Sequence, residues 1–168
     1  MYYYDNYNYR PATPYMQPGM PVMTEQMMMS ENLQTAIRLI KDAIVGERED
    51  ELFYDYLISE APSEEDKKII QSIRDDERKH NKMFKELYYE LTGKMPPQAA
   101  EPEFVKPESY VAGLQQALFG ELGAVERYRR ILFGLTKRKD INMITEIITD
   151  ELKHASKYNF LYAKNKKV

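Results

Sequence analysis

From Ser30 onward, apolar residues return every three or four positions, the period of a helix with one buried face. The pattern predicts a first helix over about residues 30–60, with Leu33, Ile37, Ile40 and Ile44 on its stripe, Ser30 as N-cap and Glu31 in the first turn. Pro62 ends that helix, and Ser63 with Asp66 reads as a capping box for the next. The second helix carries Ile69, Ile70, Ile73, Phe84, Leu87 and Leu91 and stops near Gly93. A third is expected from about Pro107, with Val111, Leu114, Leu118, Val125, Tyr128 and Leu132 on one face. After the turn TKRKD, Asp140 is expected to cap a fourth helix bearing Ile144, Ile147, Ile148, Tyr158 and Leu161. No strand pattern competes.

The segment TGKMPPQAAEPEFVKP between the second and third helices is rich in proline and too irregular for helix. Its length suits a crossover rather than a tight hairpin. The expected fold is therefore all-α: a four-helix bundle with one long crossover between helices 2 and 3, the ferritin-like arrangement. Residues 1–29 stand apart from this bundle domain of residues 30–168. They hold six tyrosines, seven methionines and four prolines, without helical or strand period. Two readings of this tail stay open: a disordered extension, or a Tyr/Met surface that binds a partner.

Shifted by 74 residues, the chain overlays on itself. Gly46 and Glu47 fall on Gly120 and Glu121, Tyr54 on Tyr128, Asp76 and Glu77 on Asp150 and Glu151, and His80 on His154. Apolar positions follow, with Ile44 on Leu118, Ile73 on Ile147 and Leu87 on Leu161. Two copies of a helical hairpin predict a pseudo-twofold bundle whose matching residues meet at the axis.

The seam of the second helix reads Ile73, Glu77, His80, Phe84, Leu87, and that of the fourth Ile147, Glu151, His154, Tyr158, Leu161. Steps of four and three place all of them on one buried face. Glu47 and Glu121 each lie three residues beyond an apolar stripe position. One Glu-x-x-His on a helix is common, and one glutamate at an apolar position can reach outward. Four carboxylates converging on one apolar centre are different, because a buried unpaired carboxylate costs several kcal/mol or more. No lysine or arginine occupies a matching seam position, since Arg74 and Lys79 fall off the stripe. Two divalent cations would balance four carboxylates, and two neutral imidazoles complete the set. A Glu from each of two helices with Glu-x-x-His from the other two is the ligand pattern of di-iron and di-manganese carboxylate bundles. Oxygen donors with imidazole, and no thiolate, suit iron or manganese.

Asp76 and Asp150 are candidates to accept the outer N–H of a metal-bound histidine. Tyr54 and Tyr128, two turns beyond Glu47 and Glu121, either hydrogen-bond a ligand carboxylate or simply pack in the core. Lys79 and Lys153 read as exposed helix surface.

Net charge is −3, against a general nucleic-acid binder. The chain has no cysteine, which excludes disulfides, thiolate ligands and thiol redox chemistry. No apolar run reaches the roughly 20 residues of a membrane span, and no signal-peptide pattern opens the chain. A cytoplasmic protein is expected, with association to a bacterial spore layer as an alternative suggested by the tail.

The motifs GEREDELFY, DERKH, GELGAVERY and DELKH resemble the rubrerythrin and bacterioferritin branch of the ferritin-like superfamily, over about residues 31–163. The resemblance implies two iron ions, or manganese, bridged by Glu77 and Glu151. It implies Glu47 and Glu121 as terminal ligands beside His80 and His154. It also implies O2 or hydrogen peroxide as oxidant. Rubrerythrins carry a cysteine-ligated rubredoxin module that this chain lacks, so electrons would come from ferrous iron or an external donor protein. They also carry a further glutamate three residues after the third-helix ligand, where this chain has Ala124. No short fifth helix of the cage-forming ferritins follows helix four, so a homodimer is expected over a storage shell. Catalysis, iron storage and a structural role in a larger assembly are the competing functions.

Overall fold

The computed structural model describes residues 25–98 and 104–166; of Glu47 and Arg48 the backbone alone is described, as it is of residues 25–29. Four helices follow in order: α1 (Glu25–Glu60), α2 (Glu64–Thr92), α3 (Tyr110–Leu132) and α4 (Arg138–Asn165). Helix α1 packs on α2, α3 on α4, α1 on α3 and α2 on α4.

The ends fix the topology. Leu57, late in α1, lies against Gly113, early in α3, while Asn32 and Ala36 lie against Gly134, just past α3. So α1 and α3 run antiparallel. Lys164 at the end of α4 reaches Glu65 and Asp66 at the start of α2, and Lys139 reaches Glu86 and Glu90 near its end. So α2 and α4 are antiparallel as well. The segment after Gly93 therefore runs back along the bundle, and Tyr56 donates a hydrogen bond to the Pro107 carbonyl at 3.4 Å where it arrives. This is the two-hairpin bundle with one long crossover that the sequence predicts.

Several boundaries differ. Helix α1 begins at Glu25, so Ser30 lies inside it and is not its cap, and the last residues assigned to the tail belong to the helix. Residues 1–24 lie outside the described residues. Helix α3 begins at Tyr110, not Pro107, because Ser109 is extended and its hydroxyl accepts from the Ala112 N–H. Helix α4 begins after Lys137, which offers no side-chain cap. Asp140 sits in the first turn instead, buried, where a negative charge complements the positive end of the helix dipole.

The start of α2 follows the capping reading, with more attached to it. Ser63 Oγ accepts from the Asp66 N–H at 3.2 Å and donates to the Asp66 carboxylate at 2.6 Å. That fully buried carboxylate also accepts from Lys164 at 2.6 Å, Asn165 at 2.7 Å and Tyr110 at 3.4 Å. One aspartate thus ties the starts of α2 and α3 to the end of α4. Gly93 closes α2 in the left-handed conformation at φ 67°, which glycine adopts without strain.

Two apolar clusters flank the middle of the bundle. Ala36, Ile40, Ile44, Leu87, Ile131, Ile144 and Ile147 fill one end, and Leu57, Ile70, Ile73, Leu114, Tyr158 and Leu161 fill the other. The polar cluster lies between them, sealed above and below by hydrocarbon.

Candidate metal centre

Each seam carries its two polar residues into the core because the flanking apolar positions are fully buried. Ile73, Phe84 and Leu87 hold α2 in register, and Ile147, Tyr158 and Leu161 do the same for α4. His80 and His154 are consequently 1% and 0% exposed, and Glu151 and Glu121 1% and 6%. Their rings lie 5.8 Å apart, centroid to centroid.

The two histidines are oriented alike, and each is held from the opposite helix. His80 Nε2 lies 3.2 Å from Asp150 Oδ2, and His154 Nε2 lies 3.0 Å from Asp76 Oδ2. Both Nδ1 atoms therefore face inward. His80 Nδ1 lies 3.2 Å from Glu151 and 3.4 Å from Glu77. His154 Nδ1 lies 2.9 Å from Glu77 and 3.8 Å from Glu121. Glu77, Glu121, Glu151 and His154 each offer a ligand atom, all within 4.8 Å of one another.

These contacts are close without being hydrogen bonds. Glu77 Oε1, Glu151 Oε1, His80 Nδ1 and His154 Nδ1 are buried with no hydrogen-bond partner among the described residues. Each such group costs about 1–3 kcal/mol unless something else satisfies it. The four atoms point at one another rather than pairing off, the arrangement expected around cations.

The electrostatics agree. Burial, followed by neighbouring carboxylate charge, pushes the Glu121 and Glu151 carboxyls well above the ordinary range. Burial opposes the charged form of His80, but Glu151 and Glu77 outweigh it and push its pKa up to about 10. Burial likewise works to raise Glu77, yet the two imidazoles hold it low. Asp76 and Asp150 are also lowered against burial by their histidines and Lys153.

Two cavities open onto the centre. One, of about 40 Å³, is lined by His80, Glu77, Asn81 and Phe84. The other, of about 230 Å³, lies between α1, α3 and the crossover, bordered by Glu121, Glu151, Gln116, Arg127 and Phe104. Asp50, Tyr54, Glu77 and Tyr128 line both.

Of the ten residues singled out from sequence, nine are brought together here, and the backbone of Glu47 stands in α1, its side chain outside the described residues. Tyr54 and Tyr128 are buried beside the centre, the Tyr128 ring tilted against that of Phe84 with centroids 4.9 Å apart. Neither hydroxyl bonds a carboxylate among the described residues, which do not include the Glu47 side chain. Sequence reasoning missed two neighbours. Lys153 is exposed, as expected, yet bridges Asp150 at 2.6 Å and Asp76 at 3.2 Å. Its repeat partner Lys79 instead pairs with Glu146. Asp50 was also missed, although the overlay pairs it with Ala124 and so marks it as an asymmetry.

The fold and the inward-facing carboxylate–imidazole set define a ferritin-like metal-binding bundle. The chain belongs to the rubrerythrin family, whose sequence model matches residues 38–162. It is 35% identical over 121 residues to an uncharacterized protein, YhjR, of Bacillus subtilis (strain 168), covering 71% of this chain and 81% of that protein. A crystal structure of a conserved hypothetical protein from Mycobacterium tuberculosis shares the fold, with a TM-score of 0.71 at 13% identity over 82% of this chain and 96% of the other. Among the described residues, no helix is long and apolar enough to cross a membrane.

Proposed function

We propose that this chain holds two iron ions, or two manganese ions, with Glu47, Glu77, His80, Glu121, Glu151 and His154, and acts as an oxidoreductase on hydrogen peroxide or O2. The observation that carries the reading is the set of four buried inward-facing atoms without hydrogen-bond partners: Glu77 Oε1, Glu151 Oε1, His80 Nδ1 and His154 Nδ1. The donor set is rich in oxygen with two imidazoles, which suits iron or manganese. When bound, such a pair supplies two-electron redox chemistry and Lewis acidity.

The chain's own groups do the rest. Asp150 and Asp76 fix the Nε2–H tautomers, which turns the lone pairs of both Nδ1 atoms inward. Glu77, which lies 3.4 Å and 2.9 Å from the two Nδ1 atoms, and Glu151 on the facing helix would hold the cations from the middle of the centre. The apolar clusters at both ends keep bulk water from the centre. The cavity beside Glu121 gives a small oxidant its way in. Electrons come from ferrous iron or an external donor protein, since the chain has no cysteine to hold a second iron module.

The test is consumption of hydrogen peroxide by the iron-loaded chain with a chemical reductant. Turnover that disappears in the Glu77→Ala, Glu151→Ala double variant supports the reading. Full metal loading without turnover would overturn the enzymatic part. It would favour the second reading, a metal-binding structural protein attached through its tyrosine-rich residues 1–29 to a larger assembly.

A further inference from the structure

The repeat holds at the ligand positions around the centre, and one of the positions where it breaks carries a carboxylate in one half alone. Ala43, Gly46 and Tyr54 overlay on Ala117, Gly120 and Tyr128, all small or aromatic in both halves. Asp50 overlays on Ala124. In α3 the position is a buried methyl group, 5% exposed; in α1 it is a carboxylate. That carboxylate lies one turn beyond Glu47, where residues three apart share a helix face. It lines the small cavity together with Glu77 and His80, and the larger one together with Glu121 and Glu151.

We infer that Asp50 is a further carboxylate donor to the centre, which makes its two cation positions unequal and the one beside α1 and His80 the tighter. The inference rests on the metal-centre reading above. Two observations besides the acid itself point to a ligand there. His80, 1% exposed, lines this cavity and its Nδ1 has no hydrogen-bond partner, and Glu77, which also lines it, has its Oε1 unpartnered. Four glutamates balance two divalent cations. A fifth carboxylate leaves surplus negative charge on the α1 side, so the first cation settles there. Asp50 is an exposed residue at the rim of both cavities and makes no ion pair among the described residues, which leaves its oxygens free to turn inward. Arg127 and Phe53, which overlay on each other, add to the asymmetry at the mouth of the larger cavity.

The experiment is a titration of the metal-free full chain with Mn2+, following the free ion by electron paramagnetic resonance. The unmodified chain is expected to fill in two resolved steps. Asp50→Asn should weaken the tighter step about tenfold or more, the scale on which groups around metal sites act. Asp42→Asn, the same charge change at an exposed α1 position paired with Arg38, should leave both steps in place. Asp50→Ala should behave as Asp50→Asn. Two equal steps in the unmodified chain, or two steps that neither Asp50 variant alters, would overturn the inference while leaving the metal centre standing. So would an equal loss in Asp42→Asn, which would make the effect one of net charge. Fewer than one Mn2+ bound per chain would instead overturn the metal-centre reading itself.

Discussion

His154 Nε2 lies 3.0 Å from Asp76 Oδ2, so a carboxylate on α2 orients a histidine on α4, and Asp150 does the reverse for His80. Because each aspartate directly precedes a central glutamate, one helical turn supplies a donor to its own side of the centre and a clamp to the other. Lys153 draws the two clamps together.

Removing a clamp should therefore weaken metal binding without unfolding the bundle. Asp76→Ala and Asp150→Ala should each lower Mn2+ affinity about 10–100-fold, with the helical circular dichroism unchanged. Wild-type affinity in both variants would remove the orienting role.

Metal uptake should release protons. In the metal-free chain, burial and like charge keep Glu121 and Glu151 protonated well above the ordinary range, and His80 is held cationic up to about 10. Cations require all three bare. Apparent affinity should fall as pH is lowered below neutral and rise as pH increases. A weakly buffered solution should acidify when Mn2+ is added. Stability gives a second reading. Raised carboxyl and imidazole pKa values favour the folded metal-free chain while those groups hold their protons, and the benefit is lost as pH rises through the folded values. The metal-free chain should thus lose stability on going alkaline, and added Mn2+ should restore it.

Asp66 titrates in the opposite sense. Its burial works to raise it, but hydrogen bonds from Lys164, Ser63 and Asn165 outweigh that and hold it low. Its stabilisation is present above the ordinary aspartate pKa of about 4 and is lost as pH falls through the lower folded value. Asp66→Ala should cost about 3 kcal/mol, since it strips partners from three helix ends. Thermal unfolding at neutral pH and at pH 3 checks this, with the variant's deficit expected to shrink in acid.

The seams were legible because burial at steps of three and four is a one-dimensional signal. Ile73, His80, Phe84 and Leu87 are all within 2% of full burial, as are Ile147, Glu151, His154, Tyr158 and Leu161. The repeat added what one helix could not, namely which polar residues meet. Helix ends were less legible. Ser30 has the right chemistry for a cap, but α1 already runs from Glu25, and propensity does not report where a preceding turn is already wound. Asp140 faced a similar limit: three residues into α4, it serves the dipole rather than the cap. Lys153 was hidden because its role depends on two aspartates 77 and 3 residues away, a contact that only the packed bundle creates.

Close approach of α1 to the end of α3 should show in Gly134. A Cβ there would lie 2.5 Å from the Asn32 carbonyl oxygen and 2.8 Å from Ala36 Cβ, and backbone cannot move aside as a flexible side chain can. Gly134→Ala should destabilise by about 1–3 kcal/mol, measured by urea unfolding. Gly120→Ala, where a Cβ meets nothing within 4 Å, is the control and should be neutral or slightly stabilising.

The central claim is that the buried carboxylates and imidazoles exist to hold two cations. Iron and manganese bound per chain, counted by elemental analysis after anaerobic loading with either metal and removal of the excess, test it most directly. The account predicts two metal ions per unmodified chain and fewer than one in the Glu77→Ala, Glu151→Ala double variant. Fewer than one ion in the unmodified chain, or equal loading in the double variant, would contradict it.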